Sequence, residues 1–254
     1  MQGDLRIAGR AAAPGASVRG IPAELTVFVQ KTYGLLSFSL ALAAASCWMM
    51  LKWMPIVEVV QRDHSIVSRP DLAPWMFWGL VIAEFGFLFL SMFARSGTRS
   101  GEASPLGLVA LGGFVLASGA LLGPIVGTYV GLGMASTVAA AAVVTAVTFT
   151  ALTAVVFLTG KNFSFLGGML FVGLIALVVA MLVNRFFLHS AGFDWWMSAG
   201  GAVLFCGFIL YDTSNVVRVY GPGNMVVPAV ISLYLDILNL FLLLLHLLGG
   251  RRRD

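Results

Sequence analysis

Seven apolar runs of 20 to 24 residues, parted by short polar breaks, take up most of the chain. A hydrocarbon layer about 30 Å thick is crossed by ~20 residues of helix at 1.5 Å per residue, so every run is long enough to span it. The pattern predicts helices over 32–54, 75–95, 105–128, 135–158, 164–183, 195–217 and 225–248. Connections are short except for the polar stretch from Pro55 to Ala73. Residues 1–31 carry Arg6, Arg10, Arg19 and Lys31 among Ala, Gly and Pro, with no continuous apolar segment, and read as an N-terminal cytoplasmic tail and not a cleaved signal. Residues 251–254 read as a basic C-terminal tail. The expected fold is an all-α integral membrane protein, one domain of seven transmembrane helices over residues 32–250.

Composition sharpens this reading. The chain of 254 residues is 59% hydrophobic and 10% charged, against roughly 45–50% and 25% for ordinary soluble domains. A large aqueous domain is excluded. The two cysteines, Cys47 and Cys206, both sit inside apolar runs, which leaves neither a disulfide framework nor a Cys-rich zinc site. The net charge of +4 comes from basic residues thinly spread over loops, a pattern of membrane orientation and not of nucleic-acid binding.

With the N-terminus in the cytoplasm, the inner side holds Arg6, Arg10, Arg19, Lys31, Arg95, Arg99, Lys161 and Arg218. The outer side holds Lys52, Arg62, Arg69 and Arg185, and eight against four favours this orientation. Trp48, Trp53, Trp75, Trp78, Trp195 and Trp196 then fall at outer span ends, as an interfacial aromatic belt does. Arg251, Arg252 and Arg253 run against the rule, because an odd number of spans puts them outside. Seven full spans are preferred to one re-entrant segment.

In the third run Gly119, Gly123, Gly127 and Gly131 recur every four residues around Pro124. On a helix they make a smooth strip for close packing, with a kink expected at the proline. Thr137, Thr145, Thr148, Thr150 and Thr153 in the fourth run define no single face, and their hydroxyls are expected to bond back to backbone carbonyls.

Glu84, Asp212 and Asp236 lie inside predicted spans. An ionised Asp at a helix centre costs about 2.5–3.5 kcal/mol on insertion scales, so such groups face a polar interior and commonly serve function. Ser232, Asp236, Asn239 and His246 fall in one narrow stripe of the last helix, and Glu84, Ser91 and Arg95 in one stripe of the second. Asn215 follows Asp212 by one turn. Three polar helix edges are best satisfied by facing one another. Depth permits an Arg95–Asp212 salt bridge. If Asp236 also approaches Asp212, the two carboxyls titrate as a coupled pair and the arrangement responds to pH. A cation such as calcium, which takes carboxylate oxygens, can replace the shared proton, making Asp212 and Asp236 the candidate metal ligands. The bland alternative is neutral, hydrogen-bonded structural glue. His246 near a span end reads as interfacial.

The stretch Leu233-Tyr234-Leu235-Asp236-Ile237-Leu238-Asn239-Leu240-Phe241 resembles the last-helix signature of the transmembrane BAX inhibitor motif family, and Tyr211-Asp212-Thr213-Ser214-Asn215 resembles its sixth-helix motif. Ser164-Phe165-Leu166-Gly167-Gly168-Met169-Leu170 and Leu122-Gly123-Pro124-Ile125 are similar to the bacterial YccA branch. The resemblance covers nearly all of residues 25–250. It implies six helices surrounding a central C-terminal helix, in a bacterial inner membrane. In the bacterial calcium-leak members two aspartates sense pH and a second-helix arginine latches onto the sixth-helix one; by position these are Asp212, Asp236 and Arg95, with Glu84 at a second-helix glutamate. The YccA branch instead restrains a membrane-bound AAA protease and lacks the seventh-helix aspartate, which this chain keeps.

Two functions follow as expectations. The leading one is a pH-sensitive calcium leak gated by the Asp212–Asp236 pair and the Arg95 latch, with Glu84, Ser91, Asn215, Ser232 and Asn239 as supporting polar groups. Calcium is its permeant or bound ion, and no other cofactor is expected. The alternative is a modulator that binds a membrane AAA protease and transports nothing. The expected partners are the bilayer and such a protease, not nucleic acid, with the chain a monomer or weak oligomer. An intramembrane aspartyl protease is disfavoured, because Tyr234-Leu235-Asp236 lacks a Gly-x-Gly beside the acid; no catalytic residue is assigned.

Overall fold

The computed structural model describes residues 23–60, 66–70, 72–93, 104–218 and 225–250. Among them are seven helices: α1 (Ala23–Trp53), α2 (Pro74–Phe93), α3 (Pro105–Gly131), α4 (Ala135–Thr159), α5 (Gly167–Val183), α6 (Ala191–Arg218) and α7 (Val226–Gly250). All seven, with α5 extended at both ends by its flanking turns, are long and apolar enough to cross a membrane. The chain is an integral membrane protein built as a helical bundle.

Local chemistry sets several boundaries. At the start of α3 the Ser104 hydroxyl accepts from the Gly107 amide at 2.9 Å, and Pro105 takes the first helical position, where no amide is needed. α4 ends at Gly160 in the left-handed region (φ 58°), a conformation that glycine adopts without a Cβ penalty. Beyond α5 a π turn over Asn184–Leu188 leads into His189 at φ 51°. Asn184, itself buried, fixes this turn by donating to the Ser190 carbonyl and to Asp194, while accepting from the Ser190 amide.

One expectation is corrected and one element is added. The helix of the first span starts at Ala23, so residues 23–31 belong to α1 and not to a tail. The reason is packing: Phe28 is 3% exposed and sits in the core cluster with Val226 and Val227 of α7. The polar stretch after α1 holds an antiparallel hairpin, β1 (Ile56–Val60) with β2 (Ile66–Pro70), in register Val57 opposite Arg69 and Val59 opposite Val67. An otherwise all-α fold thus carries one two-stranded ribbon.

The core lies around α7, which packs against α1, α2, α3, α4 and α6 and is 67% buried over its most apolar window. α5 leans mainly on α6 and is 6% buried. Tyr234, Phe114, Leu36, Ile209 and Leu233 are the largest fully enclosed side chains. The glycine strip of α3 faces α1: a Cβ on Gly119 would come within 2.5 Å of the Ala43 carbonyl oxygen, and one on Gly123 within 2.8 Å of Met50. Trp48, Trp53, Trp75, Trp78 and Trp196 face outward.

Candidate functional site

Five consecutive residues near the end of α6, Asp212 to Val216, are buried. An apolar helix would close such a region with methyl groups; here four of the five side chains are polar. Asp212 is 8% exposed and Asp236, on α7, 4%. Their carboxyl groups face each other at close range, with Asn215 one turn on beside Asp212. A hydrogen bond between two such carboxyls would need a proton on one of them. Asp236 Oδ2 is buried without a hydrogen-bond partner.

Asn215 links the pair to the turn between α4 and α5. Its Oδ1 accepts from the Ser164 hydroxyl at 3.3 Å, which leaves the amide nitrogen for Asp212. Ser214 accepts from the Phe163 amide at 3.1 Å and donates to Asn162 Oδ1 at 3.4 Å. Arg218 donates to the Gly160 carbonyl, at the end of α4 where helix carbonyls lack partners. The turn over residues 160–164 is thereby fastened across the end of α6, next to the carboxyl pair.

The other candidates are placed differently. Glu84 is half-buried on α2, within electrostatic reach of Tyr234. Ser91 is buried, but its hydroxyl returns to the Leu88 carbonyl at 2.6 Å. Ser232 and Asn239 likewise donate to their own helix, at Ala229 and Leu235. His246 is exposed. Arg95 lies outside the described residues. Of the supporting polar groups described, Asn215 is the one placed beside the pair.

No group of three or more His, Cys, Asp or Glu that could hold a metal occurs among the described residues. Calcium takes six to eight oxygens, so an ion between Asp212 and Asp236 would displace the proton and draw most of its shell from water.

Sequence reasoning missed several polar contacts. Ser118 of α3 and Tyr234 of α7 share a buried 2.6 Å hydrogen bond, with Phe114 edge-on to the tyrosine ring. The expectation for the threonines of α4 holds at Thr145 and Thr150, which donate to Ala141 and Ala146. It fails at Thr153, whose hydroxyl is buried with no hydrogen-bond partner because it is turned toward Tyr33. No sequence signal separates Thr153 from its neighbours.

Relatives cover the whole bundle. An uncharacterised protein of Campylobacter jejuni is 33% identical, over 89% of each chain. One from Pseudomonas aeruginosa is 35% identical, over 89% of this chain and 90% of its own. A relative from Escherichia coli (strain K12), the modulator of FtsH protease YccA, is 31% identical over 89% of this chain and 91% of its own. The family model described as "Inhibitor of apoptosis-promoting Bax1" matches residues 25–253, from the first turn of α1 to beyond α7, and the chain belongs to that family.

Proposed function

We propose that this protein is a membrane-embedded modulator of a membrane-bound AAA protease in a bacterial inner membrane. The observation that carries this reading is the end-to-end relation to the Escherichia coli modulator of FtsH protease, with no large segment of either chain left over. Modulation is a binding function, and a bundle of seven spans joined by short connections offers it helix faces and termini. Purified protein is added to the protease in nanodiscs, and degradation of a membrane substrate is followed. The expected result is co-purification and slowed degradation. Deleting residues 1–22, which precede α1, tests whether that segment does the binding: intact inhibition counts against tail-mediated contact, and absence of any complex with the full chain sinks the modulator reading.

A second reading, a pH-sensitive cation leak, is favoured by the buried Asp212–Asp236 pair. Here a change in protonation breaks a latch between Arg95 and Asp212 and frees α2 to open an inner gate. Calcium flux into proteoliposomes measured across pH should lose its pH dependence in Asp212→Asn and Asp236→Asn, and its closed state in Arg95→Gln. Flux and profile unchanged in all three variants rule the leak out, whatever the protease assay returns.

A further inference from the structure

A second polar cluster lies where α1, α4 and α6 meet. Tyr33 of α1 is held by two aromatic rings of α4: Phe149 at 6.4 Å between centroids and Phe157 at 6.0 Å, edge-on. Residues 149, 153 and 157 share one face of α4 at four-residue spacing, so Thr153 sits between the two clamping rings. The Tyr33 hydroxyl is directed at the hydroxyls of Thr153 and of Thr213, the residue after Asp212 on α6. All three oxygens are buried, yet none has hydrogen-bond geometry to a partner. Thr213 is 0% exposed.

These threonines depart from the pattern of the bundle. Thr128, Thr145, Thr150 and Thr159 return their hydroxyls to the carbonyl four residues back, at 2.6 to 2.8 Å. That bond is the default for a helical threonine in an apolar surrounding. Thr153 and Thr213 forgo it and aim inward. Leaving a buried hydroxyl unsatisfied costs about 1–3 kcal/mol, so three converging on one point call for a shared partner.

We propose that Tyr33, Thr153 and Thr213 form an intramembrane water-binding site. Water suits it because each hydroxyl can both donate and accept, and a water molecule offers two of each. A bare cation would satisfy the oxygens but leave the hydroxyl protons unmatched. On the same seam a small cavity of about 100 Å³ lies between Leu25, Thr26, Val29 and Gln30 of α1, Phe157 of α4 and Val217 of α6. The site hydrates the helix that carries Asp212 at the residue next to it, on the side that meets α1, independently of either function proposed above.

Radiolytic hydroxyl-radical labelling of the protein in lipid nanodiscs tests this, because bound water generates the radical in place. Tyr234, fully enclosed and already bonded to Ser118, sets the floor; Tyr33 is only half-buried, so its loss of labelling on threonine substitution, and not the parent ratio, carries the site. Tyr33 is expected to be labelled several-fold faster than Tyr234. The double variant Thr153→Val, Thr213→Val should lower Tyr33 labelling several-fold and leave Tyr234 unchanged, while Thr213→Ser keeps the parent rate. Tyr33 labelling as slow as Tyr234 overturns the site in the parent protein alone, even if the double variant fails to fold. Labelling that survives in a folded double variant also overturns it. So does a rate that changes when sodium and potassium are replaced by choline, which would assign the site to a cation.

Discussion

At the residue scale the Asp212–Asp236 contact joins two groups that cannot both be charged at no cost. One proton makes them a hydrogen-bonded bridge between α6 and α7; with none they are like charges side by side in a poorly hydrated interior. Folding gains the bridge only while the proton is held, so its contribution is present at low pH and lost as pH rises far enough to ionise both groups. The thermal midpoint in detergent should fall with rising pH, and Asp236→Asn, whose amide can donate without a titrating proton, should flatten that slope. A slope identical to the parent's refutes the shared-proton account. Tyr234→Phe removes the hydroxyl that meets Ser118 at 2.6 Å and should destabilise by about 1 kcal/mol, the usual net worth of a neutral hydrogen bond; an unchanged midpoint would contradict it. Asp212 and Asp236 were visible in the sequence because an acid inside an apolar run has few physical excuses. Thr153, Thr213 and Tyr33 were not, since a helical hydroxyl can always turn back to its own backbone, and which ones do depends on neighbours the sequence does not place. Ser91, Ser232 and Asn239 are the converse: helical spacing put them on polar stripes, yet each is satisfied within its own helix.

At the scale of elements, seven helices were legible because hydrocarbon thickness and backbone satisfaction leave little else for runs of this length. The ends were less so. α1 reaches back to Ala23 because Phe28 finds a place in the core, a tertiary fact; the hairpin of β1 and β2 pairs residues whose polarity had marked them only as a loop. The recurrence of glycine in α3 was readable as a packing strip, and the structure gives it a partner in α1. Gly119→Ala should therefore destabilise, because the new methyl meets backbone of α1 that cannot rotate away; overpacking of this kind costs about 1–3 kcal/mol. Gly112→Ala on the same helix is the control. Nothing lies within 4 Å of its Cβ position, so the better helix propensity of alanine should leave the midpoint unchanged or raise it. Equal effects at the two sites would mean that α1–α3 contact does not explain the strip.

For the whole molecule, the unresolved tension is between span number and charge. Arg251, Arg252 and Arg253 would favour a cytoplasmic C-terminus, which needs one helix to turn back without crossing. The shortest candidate is α5, with 17 residues, but its flanking 3-10 and π turns lengthen the apolar segment to the 25 residues of Ser164–Leu188. α7 has 25 residues, about 37 Å at 1.5 Å per residue, against a core near 30 Å. Among the described residues no helix is short enough to be re-entrant on length, so the N- and C-terminal ends of the bundle should lie on opposite sides. The tryptophans add a direction. Trp48 and Trp53 close α1, Trp75 and Trp78 open α2, and Trp195 and Trp196 open α6, all at the end of the bundle where α1 finishes. The excess of Lys and Arg lies toward the other end, which predicts that α1 starts in the cytoplasm. Green fluorescent protein fused to the N-terminus should therefore fluoresce, and alkaline phosphatase fused after Asp254 should be active. Both should persist when Arg251, Arg252 and Arg253 are changed to Gln, because orientation is already set by the charges flanking the early helices. A fluorescent C-terminal fusion would require an even number of crossings, and with it a different set of neighbours for Asp236.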